Sequence, residues 1–327
     1  LSIDLKAILK YLVLFVFGIG VLIIAFKGQD LTKIWSEIKS AHLFWLLISS
    51  LCVFIAHLLR ALRWQMLFHS LNYKVSIVNS FCAVIIGYFA NLLLPRFGEI
   101  AKCTVIQKTN RVPIFASIGT VVAERIFDLV VLLLSGLGML LFQYTVVAEF
   151  LSNYIFKPLY KHILTINYLL VLAILIFSII ILLILFKYLK ERFRNKYIRV
   201  LASLKQGLNS YFQLDKKPLF LIYTFGIWFF YLLSIYIAFW ALNSTARLGM
   251  NVAYTAIVFS GFAMIAPVQG GIGVFHWMVA RALMLYSVPF NDGLAYATLI
   301  HSSQFLLIIL FGILSLWFLS YKKNDLG

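Results

Sequence analysis

The sequence predicts an all-α, polytopic transmembrane protein with about six spanning helices plus two re-entrant broken hairpins arranged as inverted repeats. Three observations carry that expectation. Of 327 residues, 63% are hydrophobic and only 12% are charged, with a mean hydropathy of +0.98. Soluble domains carry about a quarter charged residues, so a soluble fold is excluded. Six apolar runs, 8–26, 43–59, 129–148, 166–186, 219–242 and 304–320, are each long enough or nearly so to cross a ~30 Å hydrocarbon core as a helix. Two further apolar stretches, about 78–106 and 252–284, are interrupted by proline and glycine.

The run 8–26 has no small-residue cleavage site and no soluble domain after it, which makes it an anchor rather than a signal peptide. Leu1 suggests numbering that begins inside a processed or trimmed chain. The run 43–59 ends in "LLRALRW", with Arg60 and Arg63 three apart. Residues 78–94 are then broken by "NLLLPRFGEIAK", where Pro95 and Gly98 stop a regular helix. The span 115–144 carries "AERIFD", and 166–186 follows. Residues 187–217 form the longest and most basic polar stretch, a cytoplasmic loop under the positive-inside rule. After the span 219–242, residues 254–266 are too short to cross before Pro267 and "PVQGGIG"; 304–320 closes the series. Outward from loop 187–217, Arg96, Lys102, Lys108, Arg111, the Lys322–Lys323 pair and both termini fall inside, provided that both broken stretches enter and leave on one side.

The expected organisation is a single transmembrane domain, 1–327, with a first repeat at 43–144 and a second at 218–320. Gly87, Pro95 and Gly98 echo Gly261, Pro267 and Gly270, and at a nearby offset Trp64, Arg125, Asp128 and Gly136 fall on Trp240, His301, Gln304 and Gly312. Because the first copy runs out-to-in and the second in-to-out, the duplication is inverted, an architecture that places a site near the midplane between the halves.

An ionisable side chain inside a bilayer costs at least ~2.5–3.5 kcal/mol, so each one needs a partner or a purpose. Glu124 and Asp128 share a helix face, with Arg125 beside it, and with Arg96 and Glu99 they are expected to form a network. Such a network either locks the hairpin to its neighbours or, because arginines outnumber the local acids, leaves positive charge for an anionic group. Arg60 and Arg63 either snorkel to the interface beside Trp64 or meet a headgroup. Asn91 bonds the backbone freed at the break or lines the site. Gly270, Gly271 and Gly273 would let a helix N-terminus or a backbone nest face an anion. His276 reads as a satisfied interior histidine or a proton carrier; His57 and His69 are uninformative.

Lys and Arg total 28 against 11 Asp and Glu, a net charge of +17. In loops between spans this reflects topology and anionic lipid headgroups rather than nucleic acid. Cys52, Cys82 and Cys103 lie in apolar stretches without metal-ligand spacing. No P-loop, no H-E-x-x-H, no nucleophile elbow and no extramembrane D-x-D occurs, so no catalytic residue, metal or cofactor is expected, and transport would run on a gradient or on the lipid's own downhill movement.

"RALRW", "NLLLPRFGE", "AERIFD" and "APVQGGIGVFH", in that order, resemble the marks of the lysylphosphatidylglycerol synthase transmembrane region family, flippase-like integral membrane proteins. The resemblance covers about residues 10 to 320. It implies movement of aminoacylated phospholipids or polyprenyl-phosphate-linked lipids between leaflets, with Asn91, Arg96, Glu99, Glu124, Arg125 and Asp128 as the positions that matter. Some members carry a cytoplasmic aminoacyl-transferring domain. Here the expectation is that none follows Tyr321 and that synthase activity is not carried over. Two departures stand out: His276 where the family commonly has an acid, and Lys102 where an arginine is usual.

The expected function is therefore a lipid flippase of the bacterial cytoplasmic membrane, not an enzyme. Arg96, Arg125 and Arg63 would hold phosphate, and Glu99, Glu124 and Asp128 would position those arginines. A membrane-embedded lipid transferase and a scaffold acting through loop 187–217 are the alternatives.

Overall fold

The computed structural model describes residues 19–144 and 207–324, with a few scattered positions elsewhere. The start of the run 8–26, the run 166–186 and most of the basic loop 187–217 lie outside the described residues.

A short helix, α1 (Leu31–Lys39), is capped by Asp30, whose carboxylate accepts the Thr32 and Lys33 N–H groups, each at 3.0 Å. The Thr32 hydroxyl and the Lys33 N–H hold that carboxyl below its usual range. Then come α2 (Leu43–Ser70), α3 (Ile77–Leu93), α4 (Gly98–Asn110) and α5 (Ile114–Phe142). The second half holds α6 (Lys217–Ala238), α7 (Met250–Ala263), α8 (Val274–Met284) and α9 (Phe290–Asn324). Among the described residues, four helices (α2, α5, α6 and α9) are long and apolar enough to cross a membrane. The order of elements is thus span, broken hairpin, span, and then the same again.

Two spans outrun their apolar cores. Helix α2 continues to Ser70, past Arg60 and Arg63, because both guanidinium groups find carboxylates inside the protein. Helix α9 starts at Phe290, directly after Pro289, well before the run at 304–320. Its early polar residue Asp292 pairs with Lys33 of α1 at 3.1 Å.

The first hairpin turns over Leu94–Phe97. Leu94 is extended, as the residue before a proline must be, and Arg96 takes a left-handed φ of 62°. The two arms meet backbone to backbone: a Cβ on Gly98 would lie 2.1 Å from the Gly87 carbonyl oxygen. Helix α3, at 17 residues, is about 26 Å long, and α4 is shorter, so neither crosses alone. The second hairpin breaks between Met264 and Gly273, where Gly270, Gly271 and Gly273 all take positive φ (53°, 83° and 82°).

Helix α2 packs most extensively on α6, tied by the Ser49 hydroxyl, which donates to the Ser234 carbonyl at 2.9 Å. Helix α9 touches α8 and α3, so it contacts both hairpins. One apolar core joins the end of α6 to α9 through Ile235, Leu283 and Tyr296; the other joins α2 to α5, the segment before α6 and the start of α6 through Trp64, Phe68, Ile106, Leu214 and Phe220. Large apolar side chains also stand outward, as lipid contact requires: Leu43, Leu47, Leu134, Leu141, Phe225 and Leu306 are all exposed.

Candidate functional site

Helices α2, α4 and α5 bring seven ionised side chains together between the first hairpin and its neighbours. Arg60 and Arg63 share one face of α2, three residues apart, and meet Glu124 and Asp128, four apart on α5. Arg60 Nη1 donates to Asp128 Oδ2 at 2.6 Å. Arg63 Nη2 lies 2.8 Å from Asp128 Oδ1 and 3.5 Å from Glu124 Oε1, while its Nη1 donates to the Thr224 hydroxyl at 3.1 Å. From α4, Lys102 Nζ reaches Glu124 at 2.9 Å and Glu99 at 3.3 Å, and it stands 4.5 Å above the Trp64 ring. The Trp64 indole N–H donates to the Thr120 hydroxyl at 3.0 Å, which fixes that ring.

Arg125 closes the network on its open side, 2.9 Å from Glu99 and 3.6 Å from Asp128. It is also the network's exposed cation: its side chain is 44% accessible, against 0% for Arg63 and 5% for Arg60 and Lys102. The site lies deep in the helices. Arg60 is about 15 Å from the end of α2, and Asp128 about 21 Å from the start of α5. Four cations face three carboxylates, and every carboxylate already has at least two cationic partners.

A cleft opens beside this network, lined by Arg60, Val84, Gly87, Tyr88, Asn91, Gly98, Glu99, Lys102 and Arg125. Asn91 both lines it and holds it together: its Oδ1 accepts the Gly98 N–H at 2.7 Å, one of the donors left free at the start of α4. Arg96, at the hairpin tip, stands apart from the network. Its guanidinium is exposed and donates to the Ile265 carbonyl, at the break of the second hairpin. Leu92 lies against Gly270 there, so the two tips abut.

The second hairpin carries a different centre. His276 Nδ1 accepts the Gly273 N–H at 3.3 Å, and His301 Nε2 bonds the Gly270 carbonyl at 2.9 Å, so the first turn of α8 is capped by its own histidine. The His301 ring stacks on Phe275 at 4.6 Å and lies 4.9 Å from His276.

The structure therefore brings Arg63, Glu99, Lys102, Glu124, Arg125 and Asp128 into one cluster and sets Asn91 at its rim. Arg96 reaches the other hairpin instead of the network. Gly270, Gly271, Gly273 and His276 belong to the second centre. Arg63, expected to touch phosphate, has no exposed surface and is taken up by Asp128, Glu124 and Thr224. Sequence reasoning missed Arg60 as a network member. Its spacing from Arg63 on α2, matched to the acid pair on α5, is the signal that could have found it. The roles of Tyr88 and Thr224 carried no local signal. No group of three or more metal-binding side chains occurs among the described residues.

Fold and site together define a polytopic helical integral membrane protein with an ionised, arginine-rich centre held between its spans and a broken hairpin. Residues 8–312 match the family described as the lysylphosphatidylglycerol synthase TM region, and the chain belongs to that family. Over 240 residues it is also 27% identical to a UPF0104 membrane protein of Methanocaldococcus jannaschii, covering 73% of this chain and 96% of that relative. No solved structure matches it significantly.

Proposed function

We propose that this protein moves an anionic, phosphate-bearing lipid between the leaflets of a bacterial cytoplasmic membrane, with both termini cytoplasmic and without catalysing a reaction. The observation that carries this reading is the excess of cations over carboxylates at the cleft. A purely structural network gains most from balance, because an uncompensated buried charge is costly. Here one positive charge is left over, Arg125 is open to the cleft, and Arg96 adds a second exposed cation at the hairpin tip. A phosphate offers the oxygens a guanidinium fork binds best.

Membership of a family described by a lipid synthase's transmembrane region, and a centre built at membrane depth, support a lipid as the phosphate's carrier. The acyl or prenyl tails stay in the surrounding lipid while the headgroup occupies the cleft. Abutting hairpin tips provide a contact that opens and closes as the halves rock for alternating access. In this mechanism Glu99 and Asp128 hold Arg125 when the cleft is empty and yield it to phosphate when it is filled.

The test is binding of short-chain phosphatidylglycerol to the purified protein in detergent, read as a shift in melting temperature. Wild type is expected to be stabilised in a concentration-dependent way, and the Arg96→Ala/Arg125→Ala double variant to lose most of the shift. Full stabilisation of the double variant would remove the site assignment.

A further inference from the structure

At the end of the bundle away from the cleft, the start of α2 and the end of α6 border an open cavity of about 390 Å³, lined by His42, Trp45, Trp240, Asn243 and Ala246. Trp45 stands about 22 Å along α2 from Arg60. His42 and Asn243 flank the apolar runs of the two spans, so the cavity lies at headgroup level. Its walls are fixed. The His42 N–H donates to the Ala241 carbonyl at 2.9 Å and joins the two helix ends. The Thr245 hydroxyl donates to the Phe239 carbonyl at 2.7 Å, and its N–H to the Leu242 carbonyl at 3.1 Å, which folds the chain from Asn243 onward back over the end of α6. The Trp45 and Trp240 rings meet edge to face, with centroids 4.8 Å apart and planes at 62°, and Tyr236 lies 5.1 Å from Trp240. Tryptophans that only anchor a chain at the interface hold their rings out to the headgroups, as Trp35 and Trp317 do at 58% and 67% exposure. Trp45 and Trp240 are half-buried and wall a cavity instead.

The lining selects a ligand class. Among the described residues no carboxylate, lysine or arginine lines the cavity, so neither an ammonium nor a phosphate finds a counter-ion there. The Asn243 amide both donates and accepts, as does a neutral His42 imidazole, and hydroxyl groups match that pairing. Indole faces carry negative potential and meet C–H groups well. A pyranose offers both partners on one small ring, a face of C–H bonds and a rim of hydroxyls. The cavity volume falls within the range of small-ligand pockets, about 300–1,000 Å³. At the same end of α2, Leu43 and Leu47 stand out toward lipid at 70% and 69% exposure, which suits a ring carried on acyl or prenyl chains. We infer that this cavity is a subsite for the neutral sugar ring of a glycosylated lipid. It is separate from the phosphate cleft and does not depend on that reading.

The experiment titrates the full chain, held in a polyoxyethylene detergent that carries no sugar, with three probes: a short-chain monoglucosyl diacylglycerol, methyl β-glucopyranoside and tetramethylammonium. Binding is read by calorimetry and by tryptophan emission. The glucolipid is expected to bind and to shift the emission, and Trp240→Ala to weaken it about tenfold or more, an effect of about 1.4 kcal/mol. Trp240→Phe, which keeps an aromatic face, should recover most of the affinity. Ala246→Phe fills the cavity without removing a packed ring, so it should abolish binding while the melting temperature stays near that of wild type. Arg125→Ala should bind the glucolipid as wild type does, because the cleft lies elsewhere. Methyl β-glucopyranoside binding as tightly as the glucolipid would keep the sugar site and overturn its assignment to a lipid. Tetramethylammonium displacing the glucolipid would overturn the sugar in favour of a cation cage. No binding of the glucolipid, or undiminished binding in a folded Ala246→Phe protein, would overturn the subsite and leave the phosphate cleft untouched.

Discussion

Arg63 and Arg125 contact the same carboxylate and have opposite exposures, and that difference separates their roles. Arg63 has no accessible side-chain surface and bridges Asp128, Glu124 and Thr224. Removing one member of a buried pair leaves the other charge uncompensated, at a cost of about 3–5 kcal/mol. Arg63→Ala is therefore expected to melt well below wild type in detergent, or to fail to accumulate as a monodisperse species. Arg125→Ala should melt close to wild type, because its half-exposed ion pairs contribute little, yet lose lipid binding. Equal stability losses in the two variants would argue that the cluster is only a lock. Asn91 gives a finer test. Asn91→Ala frees the Gly98 N–H and should cost about 1 kcal/mol, while Asn91→Asp keeps the acceptor and most of the stability. Glu124, Arg125 and Asp128 were legible in the sequence because charges inside an apolar run need partners. That Arg96 would leave those acids for the Ile265 carbonyl was not, since its left-handed backbone and the meeting of the tips are tertiary facts.

The first hairpin exists because two glycines let its arms touch. A methyl group on Gly98 would sit 2.1 Å from the Gly87 carbonyl and 2.6 Å from Asn91. Gly98→Ala should therefore push α4 off α3 and displace Glu99 and Lys102 from their partners, which a lowered melting temperature and lost lipid binding would report together. Gly20→Ala, with nothing within 4 Å of the added carbon, serves as the control and should leave both unchanged. A Gly98→Ala protein with wild-type melting and binding would show that the close approach is dispensable. Proline and glycine announced both breaks, since neither residue lets a regular helix pass, and the short apolar stretches showed that the arms could not cross alone. The lengths of α2 and α9 were less visible: each carries polar residues past its apolar run because those residues find partners on other helices, which no local pattern records.

At the scale of the whole molecule, α9 packs on both hairpins, and the two tips meet where Arg96 reaches Ile265 and Leu92 lies against Gly270. Transport by rocking requires that contact to separate. Joining Leu92→Cys of the first tip to Ile265→Cys of the second with a short bis-maleimide should hold the tips together and stop lipid movement, while Cys52, Cys82 and Cys103, all buried, should stay unreactive. The breaks after Leu93 and after Ala263 fall where the proline and glycine spacing put them. The asymmetry of the halves, an ionised cluster in one and an edge-on pair of histidines in the other, was visible only residue by residue. The most direct measurement is reconstitution into liposomes with fluorescent phosphatidylglycerol in both leaflets, quenched from outside with a membrane-impermeant reductant. Wild type should make the inner-leaflet pool accessible within the assay, and the Arg96→Ala/Arg125→Ala protein should leave about half of the signal protected. Equal accessibility with both proteins, or protection with both, would contradict a transport path through the cationic cleft.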